Sequence, residues 1–251
     1  MPACNARPHL TGYCPNKCHD CQNKQYVGMS NNEYKRHLSG KDIFGIYPLL
    51  PGDFCQLLAV DFDDSDFKES AISFKNICSQ YGIDALVEIS GSGSGAHVWL
   101  FFEKIIKASK ARRLGTYLII EAMNLSNGIS FESLDRMFPS QDFVPFKGYG
   151  NLIALPLNGK KATEGNTLFV DDNFVPYKIK DQMNVLASIK KITEEEVDLL
   201  LTKLSENETE SLLPKNILKG IKLTRNDFAN EIIILIDNQI SIPKLHLNMN
   251  N

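Results

Sequence analysis

Leu57-Leu58-Ala59-Val60-Asp61-Phe62-Asp63 is an apolar run that ends on two carboxylates one residue apart. A short, continuous apolar stretch of this kind predicts a buried β-strand. Side chains alternate across a strand, so Asp61 and Asp63 share one face while Phe62 points to the other. Carboxylates placed together repel one another unless a cation compensates them, and a divalent metal would do so. The alternative is a solvated acidic turn, because Asp64 and Asp66 continue the acidity.

Downstream, Phe67, Ala71, Phe74, Cys78 and Tyr81 recur at helical spacing and stop at Gly82. Residues 85–89 and 97–102 predict two strands, and the Gly/Ser run between them predicts an antiparallel hairpin. Ala111, Leu114, Leu118, Ala122 and Leu125 predict a further helix, followed by a short strand over residues 129–134. The resulting order, βαββαβ, is the ferredoxin- or RRM-like pattern of an α+β fold. It predicts helices on one sheet face and leaves the other free for a ligand or nucleic acid. Residues 151–157 and 166–170 predict further strands that continue the sheet, joined by a basic turn with Lys160 and Lys161. Thr193 and Glu196 form a capping box ahead of Val197, Leu200, Leu201 and Leu204, and residues 217–242 have helical character.

The hairpin loop reads Ser92-Gly93-Ser94-Gly95, with His97 just behind it. Glycines let backbone amides approach a phosphate, serine hydroxyls add donors, and an imidazole can donate to an anionic oxygen. No Lys-Ser/Thr pair follows the last glycine, and the next element is a strand, so this is not a P-loop. Taken alone, such a loop is more often just a flexible turn and the histidine a satisfied strand residue; next to Asp61 and Asp63 it reads as a triphosphate site.

Of the 6 cysteines, Cys4, Cys14, Cys18 and Cys21 crowd the first 21 residues. This segment is too short and polar to fold on its own core, and tetrahedral zinc would stabilise it. An iron–sulfur cluster uses the same ligands, His9 or His19 can replace a sulfur, and disulfides are disfavoured in a reducing compartment. Cys55 and Cys78 read as ordinary core thiols. The chain of 251 residues is 43% hydrophobic with a net charge of −3. It is therefore expected to be globular and cytoplasmic, without a signal peptide or membrane span, and any nucleic-acid surface must be a local concentration of Lys and Arg.

Together these motifs resemble the archaeo-eukaryotic primase superfamily, and within it the primase-polymerases of TOTE conflict systems. Asp61 and Asp63 match its Asp-x-Asp motif, and the segment from Ser92 to His97 matches its Ser-x-His hairpin. Asp142, at the end of Asp-Arg-Met-Phe-Pro-Ser-Gln-Asp, matches its third acid, with Asp135 the second choice. The subfamily is echoed, in order, by Cys4-Asn5, the cysteine cluster, His37-Leu38-Ser39-Gly40, Gly45-Ile46-Tyr47-Pro48-Leu49, Ala111-Arg112-Arg113-Leu114-Gly115 and Gly150-Asn151-Leu152-Ile153-Ala154-Leu155-Pro156. The resemblance spans about residues 4–195.

The resemblance implies an α+β primase catalytic core over residues 31–190, between a zinc knuckle at 1–30 and a C-terminal helical connector at 191–251. It implies a nucleotidyltransferase, a DNA primase or DNA polymerase, working by two Mg²⁺ or Mn²⁺ ions on Asp61, Asp63 and Asp142. His97, Ser92, Gly93, Ser94, Gly95, Lys147 and Asn151 would bind the incoming dNTP or NTP. Where relatives often carry basic residues around the serines, this chain has Ile89 and Gly91, which shifts phosphate contact to backbone amides, Lys147 and metal. Implied partners are single-stranded or primed DNA, or RNA, and a helicase and nuclease encoded with it. Lys35, Arg36, Lys41, Lys160 and Lys161 are template contacts if they converge in space, whereas Arg112 and Arg113 read as solvated helix charges. The rival readings are an inactive nucleic-acid-binding module and a metal-dependent nuclease.

Overall fold

A computed structural model of the chain describes residues 2–5, 26–63, 65–125, 133–146 and 148–208. The chain divides into two compact units, Met1–Glu210 and Ser211–Asn251, and the second lies outside the described residues with the predicted connector helix. Among the described residues no helix is long and apolar enough to cross a membrane.

The first unit holds two antiparallel sheets. Strands β1 (Pro2–Asn5), β2 (Tyr26–Gly28), β3 (Phe44–Ile46) and β8 (Ile153–Ala154) form a small sheet in the order β2-β1-β3-β8. The larger sheet contains β4 (Phe54–Phe62), β5 (Leu86–Ile89), β6 (Ala96–Lys107), β7 (Leu134–Phe138) and β9 (Phe169–Val170), in the order β7-β4-β6-β5-β9. Helices α2 (Phe67–Gln80) and α3 (Ala108–Leu125) fall between its strands in the predicted βαββαβ order.

Alternation along β4 separates two cores. Phe62 meets Phe74 of α2 with ring centroids 5.9 Å apart, while Leu58 lies under α3 at Gly115. Leu57 and Ala59, on the opposite face, join Leu86, Trp99 and Phe138 in a cluster closed by Ile46 of β3 and Ile153 of β8. That second face was expected to be free; the small sheet covers it. Leu57 and Trp99 explain why, because large apolar side chains on a sheet face are stable only when another layer buries them. The face is therefore closed over Leu57 and Ala59, and β4 runs on past them to Asp61.

Two further expectations change. Lys160 and Lys161 sit on a short helix, α4 (Gly159–Thr163), capped by the Asn158 side chain on Lys161 N–H, not in a turn between strands. The predicted strand at 151–157 contributes only β8, and it joins the small sheet. Helix α1 (Asn31–Leu38) starts on a Ser30/Glu33 capping box, and α5 (Gln182–Ser188) precedes α6 (Glu194–Glu208). The box predicted for α6 forms: Glu196 N–H donates to Thr193 Oγ1 at 3.1 Å and Thr193 N–H to Glu196 Oε2 at 2.9 Å.

Candidate active site

Asp61 lies at the end of β4, and Asp63 follows one residue beyond the strand, where its N–H donates to the Ser133 carbonyl at 2.7 Å. On the neighbouring strand, Asp61 pairs with Arg136 and Phe62 with Leu134, so Asp135 is the extra residue of a β-bulge. Bulges re-aim side chains, and this one brings Asp135 to the Asp-x-Asp pair. Ligand oxygens of Asp61, Asp63 and Asp135 all lie within 4.8 Å of one another.

Burial pushes the Asp61 carboxyl up to about 6; His97 opposes that rise, Asp63 and Asp135 add to it, and Arg136 again opposes it. Three hard oxygen donors gathered this closely fit Mg²⁺ or Mn²⁺ better than a soft metal. Gly95 is part of the same construction. A Cβ there would overlap Asp63 Oδ1 and stand 2.8 Å from the Phe62 carbonyl oxygen.

His97 lies opposite Asp61 on one side and opposite Glu88 on the other. Its Nε2 is 3.5 Å from Asp61 Oδ1, and its Nδ1 donates to Glu88 Oε2 at 3.0 Å. Trp99 Nε1 donates to the same oxygen at 2.7 Å. Burial alone would lower the imidazole's pKa, but the Glu88 carboxylate, by charge and hydrogen bond, together with Asp61 and Asp63, raises it above the ordinary value. Glu88 was not singled out from the sequence. Its signal is an acid between Val87 and Ile89 in an apolar strand, which requires a buried partner.

The loop beyond β5 carries a row of hydroxyls. Ser90 and Ser92 Oγ are 2.9 Å apart, Ser92 and Ser94 Oγ 3.0 Å, and Gly93 N–H donates to the Ser90 carbonyl at 3.0 Å. Ser92, Gly93 and Ser94 are exposed, and Gly95 is buried against Asp63. Asn166 backs the loop, its Nδ2 donating to the Gly91 carbonyl at 3.4 Å.

Asp142 is not in this group. β7 runs antiparallel to β4, so the chain after Phe138 leaves at the opposite end, where Val144 N–H donates to Asp53 Oδ1 at 2.7 Å. The stretch from Asp53 to Asp61 corresponds to roughly 25 Å of strand. Asp142 instead pairs with Arg112 Nε at 3.0 Å, and Arg112 Nη1 donates to the Pro139 carbonyl at 3.0 Å. Arg112 is thus a buried tie for the loop after β7 and not a solvated charge; Arg113 is exposed. Asn151 Nδ2 donates to Ser140 Oγ at 2.6 Å in that same loop. Lys147, Cys14, Cys18 and Cys21 lie outside the described residues, as does the side chain of Cys4 on β1.

The segments that carry the basic residues read as template contacts, α1 with the turn after it and α4, meet in space. A Cβ on Gly40 would overlap the backbone of Lys160, and Asn158 Nδ2 donates to the His37 carbonyl at 3.1 Å and the Asp42 carbonyl at 2.9 Å. Arg36 pairs with Asp42, and Lys161 with Glu164, while Lys35, Lys41 and Lys160 are exposed. Asn166 N–H donates to the Lys161 carbonyl at 3.0 Å, so this surface adjoins the serine loop.

The family described as the TOTE conflict system, Archaeo-Eukaryotic Primase domain, matches residues 1–200. No curated protein matches the chain. A solved structure, the polymerase domain from Mycobacterium tuberculosis ligase D in complex with DNA, is similar at 15% identity and a TM-score of 0.30. The similarity covers 74% of this chain and 61% of that one.

Proposed function

As the chain belongs to the archaeo-eukaryotic primase family of TOTE conflict systems, we propose that it performs template-dependent nucleotidyl transfer, as a primase or a primer-extending DNA polymerase. The observation that carries this reading is the convergence of Asp61, Asp63 and Asp135 beside His97 and the serine loop at one sheet end. The βαββαβ unit, with its strands in the order β7-β4-β6-β5, supports a ferredoxin-like reading of the core.

Asp61, Asp63 and Asp135 would hold two Mg²⁺ or Mn²⁺ ions. When bound, such ions lower the pKa of an attacking 3′-hydroxyl and neutralise the leaving pyrophosphate. His97 offers Nε2 as a donor to a phosphate oxygen next to Asp61, and the Ser92 and Ser94 hydroxyls offer further donors along the loop. Gly95 keeps the Asp63 carboxylate close to that loop. The lysines of α1 and α4 supply a cationic path on which the phosphodiester backbone of a DNA or RNA template would lie. A helicase and a nuclease encoded with it would be its partners.

Primer extension with Mn²⁺ and labelled dNTPs or NTPs tests the reading, run beside a degradation assay on the same substrate. Incorporation that needs the template supports it, and shortening of the substrate without incorporation replaces it by a nuclease. Cys4, Cys14, Cys18 and Cys21 would hold one structural zinc, since four thiolates close its coordination sphere. Elemental analysis of untagged protein tests this: one zinc per chain is expected, and iron with visible absorbance, or no metal, defeats it.

A further inference from the structure

Glu88 is 1% exposed, on a sheet face that is otherwise packed with Leu86, Ala59 and Trp99. A buried carboxylate is costly, and an apolar residue of similar size would fill this space without that cost. Its carboxylate oxygen Oε2 instead accepts from two rings at once, His97 Nδ1 at 3.0 Å and Trp99 Nε1 at 2.7 Å. Trp99 stands edge-on to His97, with centroids 5.9 Å apart and an 86° interplanar angle, and stacks at 8° on Phe101. The imidazole is therefore held by a hydrogen bond on one nitrogen and by packing against its neighbouring ring.

We propose that Glu88 is a positioning residue for nucleotidyl transfer: it binds Nδ1 of His97 and so fixes which nitrogen, Nε2, is presented beside Asp61. The inference rests on the nucleotidyl-transfer reading and adds to it a residue that never touches the substrate. With Nδ1–H committed to Glu88, the ring cannot flip without leaving a buried carboxylate short of a donor. Nε2 is left as the one imidazole nitrogen available to a phosphate oxygen. A second layer of this kind sets the direction of a donor, and small errors of direction are expensive in transfer reactions.

The test uses the full chain with Glu88→Leu, Glu88→Gln, His97→Ala and the double variant Glu88→Leu/His97→Ala. In Mn²⁺-dependent primer extension, Glu88→Leu is expected to raise the nucleotide KM by about ten- to a hundred-fold, the scale of one charge-assisted hydrogen bond. The double variant should match His97→Ala within about two-fold, because residues acting through one another are not additive. Glu88→Gln, whose amide oxygen can still accept from Nδ1–H, should recover most of the lost affinity. Histidine ¹⁵N correlation spectra should show a proton on His97 Nδ1 in the wild type and Glu88→Gln, and its loss in Glu88→Leu. Trp99 is the single tryptophan, so a shift of its emission in Glu88→Leu reports on the same oxygen.

Additive losses in the double variant, or an unchanged KM in Glu88→Leu, would overturn the positioning role while leaving the transfer reading intact. A wild-type chain that incorporates no nucleotide would overturn the transfer reading itself.

Discussion

Nε2 of His97 lies 3.5 Å from Oδ1 of Asp61, across the pairing of β4 with β6, so a buried imidazole stands between the carboxylates of Asp61 and Glu88. Both Asp61 and His97 have folded-state values above their ordinary ones, Asp61 mainly through burial and His97 because its carboxylate neighbours overcome burial.

A raised carboxyl contributes stability that is present below its unfolded value of 3.8 and lost as pH rises through about 6. For His97, stability is present below 6.5 and is lost as pH rises through the folded value. In the metal-free protein the contribution of Asp61 should thus fall from about pH 4 upward, by at most about 3 kcal/mol, against the opposite trend of Glu33, Glu164 and Glu196, whose carboxyls are held below the ordinary value. Thermal melts of wild type and Asp61→Asn across this range check it. The variant should lack the loss between about pH 4 and 6, and Mn²⁺ should stabilise wild type at about pH 7; identical curves would sink the assignment.

Asp135 and Asp142 separate a ligand from a tie. Asp135→Ala should abolish Mn²⁺ binding in calorimetric titration with little change in melting temperature. Asp142→Ala removes the carboxylate 3.0 Å from the buried Arg112 Nε and should cost on the order of 1 to 3 kcal/mol of stability while Mn²⁺ still binds. The reverse pattern would return the third-ligand role to Asp142.

Gly95→Ala places a methyl group where Asp63 Oδ1 now lies. Displacing that carboxylate by about 1 Å should reduce incorporation on the order of a hundred-fold. Circular dichroism separates this loss from a shift of β4, because the same Cβ would stand 2.8 Å from the Phe62 carbonyl oxygen. Near-wild-type incorporation would show that Asp63 can move without consequence.

Lys35→Glu/Lys41→Glu/Lys160→Glu should weaken binding to a single-stranded oligonucleotide without altering affinity for the Mn²⁺–nucleotide complex. The slope of log affinity against log salt should fall by about 0.7 for each phosphate that is no longer neutralised. An unchanged slope would remove this surface from the template path.

The alternation of Leu57 to Asp63 already determined a buried strand with both acids on one face, and the spacing from Phe67 to Tyr81 determined a helix directly after it. These are short-range consequences of backbone geometry, and β4 and α2 obey them. The His97 hairpin was legible for the same reason, since a Gly/Ser run between apolar strands predicts its pairing. Tertiary structure alone decided the third carboxylate. Asp135 and Asp142 are seven residues apart on one segment, and a single β-bulge opposite Asp61 and Phe62 directs the first to the site while the antiparallel run of β7 carries the second away. Glu88 and Arg112 were missed, or misread as solvated, because charge in sequence says nothing of burial until partners from other strands arrive. The small sheet was likewise invisible, since β1, β3 and β8 each supply at most four residues, and the β3–β8 pairing joins segments more than a hundred positions apart.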